Sequence, residues 1–221
     1  MKKVFLFLLA SVAMVSCGSD DDNGGSKKPS SVVITSGNTS LNYNFSYDNK
    51  SRMSQMVVSG SGTSGTILFT YGENGKASNM TVTSGGTTTS IALAYDAQKR
   101  LSTITEQGQQ PVTLTWTGDN SFTYSGNPVL LTDKGDVQSI QGISIMYDNG
   151  KKGMFSSVKS FDPFLLTLVD TQSLLFASKM PINSIVAGGD SITYTNTFEG
   201  GYVKSSLITT PNGNANVSAT Y

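Results

Sequence analysis

The chain has 221 residues, only 14% of them charged, with Lys plus Arg and Asp plus Glu balanced at 15 each. It holds one cysteine and no histidine, which excludes an internal disulfide and removes both the commonest general base and the commonest zinc ligand. With no basic surplus, nucleic acid is not an expected partner, and no metal or cofactor is expected.

The N-terminus reads as an address. Lys2 and Lys3 precede an apolar stretch at 4–15 broken only by Ser11, too short to span a bilayer but suited to a signal peptide. The tetrapeptide Met14-Val15-Ser16-Cys17 resembles the lipobox of bacterial lipoproteins, although that pattern usually has Leu where Met14 stands. The resemblance implies cleavage before Cys17, lipid on Cys17 and a membrane as partner. An ordinary secretory signal with a chance cysteine is the other reading. Gly18-Ser19-Asp20-Asp21-Asp22 resembles the export signal of surface lipoproteins in Bacteroidetes, implying an outer-membrane lipoprotein at the cell surface. A plain acidic tether, with the domain facing the periplasm, is the alternative. The expected organisation is a signal peptide at 1–16, a lipidated flexible tether at 17–31 and one domain at 32–221.

A repeat runs through that domain. Tyr47, Tyr71 and Tyr95 are spaced 24 apart, each followed five residues later by a basic residue (Arg52, Lys76, Arg100) and nine later by an apolar one (Met56, Met80, Ile104). Weaker copies begin at Leu131, Tyr147 and Phe198. The segments leading into the aromatic residues alternate, as in Ile67, Phe69 and Tyr71 against Leu68 and Thr70, or Ile91, Leu93 and Tyr95. Val112, Leu114 and Trp116 repeat the pattern, which is that of a half-buried strand. Asp-Asn, Glu-Asn-Gly and Asp-Asn-Gly supply the reversals. The expected fold is all-β, an antiparallel meander of about ten to fourteen strands forming a curved sheet or open barrel, greasy on one face and hydroxyl-rich on the other.

One segment departs from period two. Asp162-Pro163 is a helix start, and Leu165, Leu168, Val169, Leu175 and Phe176 recur at helical spacing until Met180-Pro181. A helix of roughly four turns at about 162–179 is expected, packed on the greasy face or serving as a lid.

The units Tyr47-Asp48 with Arg52, and Tyr95-Asp96 with Arg100-Leu101, resemble YD repeats of the Rhs type. The stretch from Leu41 to Tyr221 resembles an uncharacterised family of Bacteroidetes lipoproteins built from such repeats. Rhs-type repeats form large β shells linked to carbohydrate binding; these copies are too few to close one.

The residues offer little chemistry. Asp48, Asp96, Asp133, Asp136 and Asp148 sit where turns need backbone acceptors, so neither a glycosidase pair nor a calcium loop is expected. Serine lacks a histidine partner, and catalysis is not expected. Trp116 and Tyr124 are the candidates for a binding platform, with a core or cross-strand role the alternative for Trp116. Asp190-Ser191-Ile192 resembles the O-glycosylation motif of the same bacteria. The terminal Ala219-Thr220-Tyr221 resembles the aromatic end of outer-membrane barrels, but most of the strands read as too short to span. The leading expectation is a non-catalytic binding or accessory module for a glycan or protein partner. A periplasm-facing carrier of an apolar ligand, and an enzyme acting on polysaccharide, are the alternatives.

Overall fold

The computed structural model describes residues 26–221; Cys17 and the acidic run at 20–22 lie outside the described residues. Seventeen strands follow in order: β1 (Ser31–Ser36), β2 (Thr39–Tyr47), β3 (Met53–Gly60), β4 (Thr63–Tyr71), β5 (Ala77–Ser84), β6 (Thr87–Tyr95), β7 (Leu101–Glu106), β8 (Val112–Thr113), β9 (Thr115–Trp116), β10 (Ser121–Tyr124), β11 (Asn127–Leu131), β12 (Val137–Ile140), β13 (Ile143–Tyr147), β14 (Ile182–Ala187), β15 (Asp190–Glu199), β16 (Tyr202–Thr210) and β17 (Gly213–Thr220). β8 and β9 are one strand interrupted at Leu114, pairing first with β7 and then with β10. Elsewhere each strand runs antiparallel to the next. The last strand returns to the first, with Val32 opposite Ala219 and Ile34 opposite Val217, so the meander closes into an up-and-down barrel. The strand count exceeds expectation because β10 to β12 are too short to show clear alternation.

The wall has the polarity the alternation predicts, apolar inward and polar outward. Val32, Tyr43, Met56, Met80, Val129 and Val217 are completely or almost completely buried on the inner face. Among the described residues, five large apolar side chains point outward: Leu68, Leu130, Met146, Val186 and Leu207. Their cross-strand neighbours are polar: Gln55 and Thr81 beside Leu68, Ser121 and Ser139 beside Leu130, Ser184 beside Met146, Ser144 and Ser191 beside Val186, and Thr195 and Asn216 beside Leu207. A lipid-facing barrel carries a continuous apolar belt outside and a polar lumen. This one is built the other way round.

A barrel of about sixteen strands ordinarily leaves a channel. Here the insertion between β13 and β14 fills it. Its two ends are zipped together by Gly153 N–H donating to Lys179 O (2.8 Å) and Phe155 N–H to Ser178 O (3.0 Å). Only glycine fits at 153, since a Cβ would fall 2.6 Å from the Ser178 carbonyl oxygen. The α-helix α1 (Pro163–Val169) starts as the sequence predicts, with the Asp162 carboxylate accepting from Phe164 N–H and proline in the first turn. It is shorter than expected. Asp170 leaves the helical region (φ −147°) and its side chain accepts from Gln172 N–H, capping a separate 3-10 turn at Thr171–Leu175. The expected four-turn helix is therefore two short elements, because a capping residue stands inside the apolar period.

The insertion packs against opposite parts of the wall. Phe164 meets Phe122 and Tyr124 edge-on (5.0 and 5.5 Å between centroids), while Phe176 and Phe155 meet Tyr43 and Phe45 (4.8 and 5.1 Å). It is a plug rather than a lid. Two small pockets beside it, one of them bordered also by Ser178, Asn196 and Ser206, measure about 10 Å³ each, too small for a lipid tail. The apolar-carrier expectation loses its cavity, since the greasy inner face is spent on the plug.

Candidate functional site

The repeat acquires its meaning at one end of the barrel, the rim from which the plug enters. The strand pairing shifts register just before the aromatic residue in Ser46/Tyr47, Thr70/Tyr71, Ala94/Tyr95 and Met146/Tyr147, and at the matching positions Leu130/Leu131 and Thr197/Phe198. Such bulges re-aim a side chain. The tyrosines among these rings then act as latches, Tyr71, Tyr95 and Tyr147 on the previous hairpin. Tyr71 Oη donates to Met53 O (2.7 Å), and Met53 is the residue across from Tyr47. Tyr95 Oη donates to Ala77 O (2.8 Å), across from Tyr71, and Trp116 Nε1 to Leu101 O (2.8 Å), across from Tyr95. Tyr147 to Val137 O and Tyr221 to Val203 O repeat the arrangement, and Tyr47 Oη donates to Pro29 O. That last bond, with Ser30 N–H on Thr220 O and the Lys27–Glu199 ion pair, ties residues 27–30 to the barrel, within the stretch whose composition suggests a tether. Burial pushes the Tyr71 phenol up to about 12, against the nearby Arg52 charge that draws it down.

The turns carry the carboxylates as the sequence suggests. Asp48 Oδ1 accepts from the N–H groups of Lys50 and Arg52, while Oδ2 receives the Arg52 guanidinium (2.7 Å to Nε). Asp96 and Arg100 repeat this geometry, and Asn74 takes the part in the second unit. Partial desolvation raises the Asp48 and Asp96 carboxyls, but the hydrogen bonds and charge of Arg52 and Arg100 outweigh it, so both lie below the ordinary value. The residue four after the tyrosine adopts a left-handed φ whether or not it is glycine: Ser51 (64°), Gly75 (78°) and Lys99 (62°).

Asp136 departs from the turn role expected of it. It follows Leu131 by five residues, where other units carry the basic side chain, and it is completely buried. Its carboxylate accepts from Lys179 N–H (2.7 Å) and Met180 N–H (3.0 Å), clamping the outgoing end of the plug. Desolvation raises its pKa above the ordinary value despite those bonds and Lys179. Nothing in the local sequence announces this, because both donors lie more than forty residues away.

Cations stand over rings of the rim. Arg52 covers Tyr71 (4.1 Å from charge centre to ring centroid), Arg100 covers Trp116 (5.0 Å), Lys28 covers Tyr47 (5.0 Å) and Lys151 covers Phe198 (3.9 Å). Two clefts open among them. One, of about 550 Å³, is lined by Lys134, Lys151, Lys152, Lys179, Ser156 and Ser157. At its edge, hydrogen bonds from Ser157 and Lys152 outweigh burial and lower the Tyr202 phenol. The other, of about 180 Å³, lies among Lys76, Lys99, Arg100, Trp116 and Asp162 and shares Lys179.

Both candidate binding residues are found with intramolecular partners. Trp116 is half-buried on the rim, its indole N–H spent on Leu101 O and its ring against Phe122 (4.8 Å). Tyr124 is half-buried against Phe164 of the plug. Trp116 nevertheless borders the smaller cleft, whereas Tyr124 does not line either one.

No family model matches the chain, and no curated protein matches it. Among solved structures it is similar to a porin-like protein from Bacteroides uniformis ATCC 8492 at 14% identity and a TM-score of 0.45, over 87% of this chain and 97% of that one. It is similar also to a porin-like protein from Bacteroides vulgatus ATCC 8482 at 11% identity and a TM-score of 0.44, over 88% and 98%.

Proposed function

We propose that the chain is a lipid-anchored lipoprotein of the outer membrane, whose barrel is a non-catalytic binding or accessory module for a glycan or protein partner at the cell surface. The observation that carries this reading is the inverted barrel: a plugged interior beneath a polar wall. Such a body has no channel to conduct through and no apolar belt to sit in lipid, so its outward surfaces are what it has to work with. Cys17 supplies the anchor, several acyl chains each adding about 0.8 kcal/mol per buried CH₂. The run Asp20-Asp21-Asp22 supports export to the surface. Asp136 and Asp162 are engaged in holding backbone, which favours a binding role over hydrolysis.

The test combines labelling and shaving. Palmitate should label the wild type and not the Cys17→Ala variant. Protease added to intact cells should remove the wild type and spare a variant with Asp20, Asp21 and Asp22 changed to Ala. Equal labelling of both proteins would refute the anchor, and a wild type digested only in lysates would refute the surface placement.

A further inference from the structure

The charges of the barrel are separated by end. Of the 15 Lys and Arg in the chain, only Lys2 and Lys3 lie outside the described residues. The other thirteen all lie at the rim. They stand in the reversals after β2, β4, β6 and β11, in the plug segment, just before β1, and at Lys204, three residues into β16 after its rim turn. The opposite end is closed by uncharged turns such as Ser61-Gly62, Gly85-Gly86, Ser125-Gly126 and Gln141-Gly142, with Glu106 and Asp190 the charges beside it.

The rim's positive charge is not cancelled within the rim. Asp48 and Asp96 are paired with Arg52 and Arg100, Glu199 lies between Lys27 and Lys204, and Asp136 and Asp162 are bonded to backbone of the plug. Four exposed carboxylates remain there, Glu73, Asp119, Asp133 and Asp148, and none is in an ion pair among the described residues. Against them stand nine lysines without an ion pair among the described residues, four of which line the larger cleft. In that cleft the Ser156 hydroxyl is buried with no hydrogen-bond partner in the protein.

We propose that this rim is a docking face for an anionic lipid surface, on which the barrel stands with its plug end toward the headgroups and its uncharged turns outward. The proposal rests on the lipid-anchor reading of Cys17 and adds an orientation to it. Three observations select a surface over a single small anion. The cations are spread around the rim rather than gathered in one pocket. Aromatic rings beneath Lys28, Lys151 and Lys152 hold them at the rim. The described chain begins at the same rim, and the nine residues from Cys17 to Ser26 span at most about 30 Å, so an anchored barrel keeps this end near the bilayer.

The sole tryptophan, Trp116, lies on the rim and serves as the probe. The mature lipidated protein is mixed with vesicles of phosphatidylcholine, alone or with phosphatidylglycerol, each carrying a dansylated headgroup. Flotation reads the anchor and energy transfer from Trp116 reads docking. Docking predicts flotation with both vesicles and transfer about two-fold higher on the anionic ones. That excess should vanish at about 1 M salt, where the screening length is about 3 Å. It should vanish also in a Lys134→Glu, Lys151→Glu, Lys152→Glu variant whose melting transition is unchanged. Flotation with equal transfer overturns docking and leaves the anchor standing. Binding to anionic vesicles alone upholds docking and overturns the anchor, and binding to neither overturns both.

Discussion

A tyrosine hydroxyl is the residue-scale device of this barrel. Phenylalanine would supply the same inward ring, but a buried phenol must find an acceptor, and the bulge before Tyr71, Tyr95 and Tyr147 directs each to a carbonyl of the preceding hairpin. Tyr71→Phe should therefore destabilise the protein by about 1 kcal/mol, measured by urea denaturation, since it deletes one hydrogen bond and leaves Met53 O unmatched. The carboxylates of the turns give a pH signature. Asp96 lies below its ordinary value in the folded state, so its contribution is complete above the unfolded value and fades as pH falls through the folded one. Asp96→Asn should lower the melting temperature at pH 7. The gap to wild type should close on acidification below about pH 4, the range in which the unfolded carboxyl takes up its proton. A gap unchanged down to pH 2 would show that the ionised Asp96–Arg100 pair is not what the variant removes.

At the scale of elements, alternation made the strands legible: Ile67, Phe69 and Tyr71 face inward to a filled core, and Leu68 and Thr70 face out, as period two requires. The 24-residue spacing exposed the hairpins because each repeat is two strands, the two-residue turn that joins them and a five-residue turn. Its second message was missed, that an aromatic recurring in step can reach a fixed partner 18 residues earlier, as Tyr71, Tyr95 and Tyr221 all do. The buried phenol was the available signal. The helix is shorter than its apolar spacing implies because Asp170 stands inside that spacing, ending one element and capping the next with its side-chain oxygen. The plug's place inside the barrel was not legible, since an apolar face packs equally well on an open sheet. Phe164 is almost fully buried between Phe122 and Tyr124, and Phe164→Ala should cost about 3–5 kcal/mol in chemical denaturation. A cost below about 1 kcal/mol would mean that the plug can leave without loosening the wall.

The whole molecule is a barrel turned inside out relative to a pore. Closure depends on β1 meeting β17, a contact between residues almost the whole domain apart, which no local pattern encodes. What the sequence did carry was the polarity of the wall: alternation such as Ile67, Phe69 and Tyr71 against Leu68 and Thr70 already separated a greasy face from a hydroxyl-rich one. The candidate site was less legible. Trp116 stood out as the single tryptophan, yet the concentration of Lys and Arg at one end follows from strand parity, which alternates rim and far end with each reversal and becomes visible only once every short strand is counted.

That polarity yields the most direct test of the account, that the barrel stays outside the bilayer and is held to it through Cys17. A specific protease site placed between Asp22 and Ser26 would allow the domain to be cut from its anchor in isolated membranes washed in high salt. The cut domain should pass into the supernatant, folded and with its melting transition intact. A cut domain that stays with the membranes through salt and alkaline washing would contradict the account, and would mean that the wall itself is embedded in lipid.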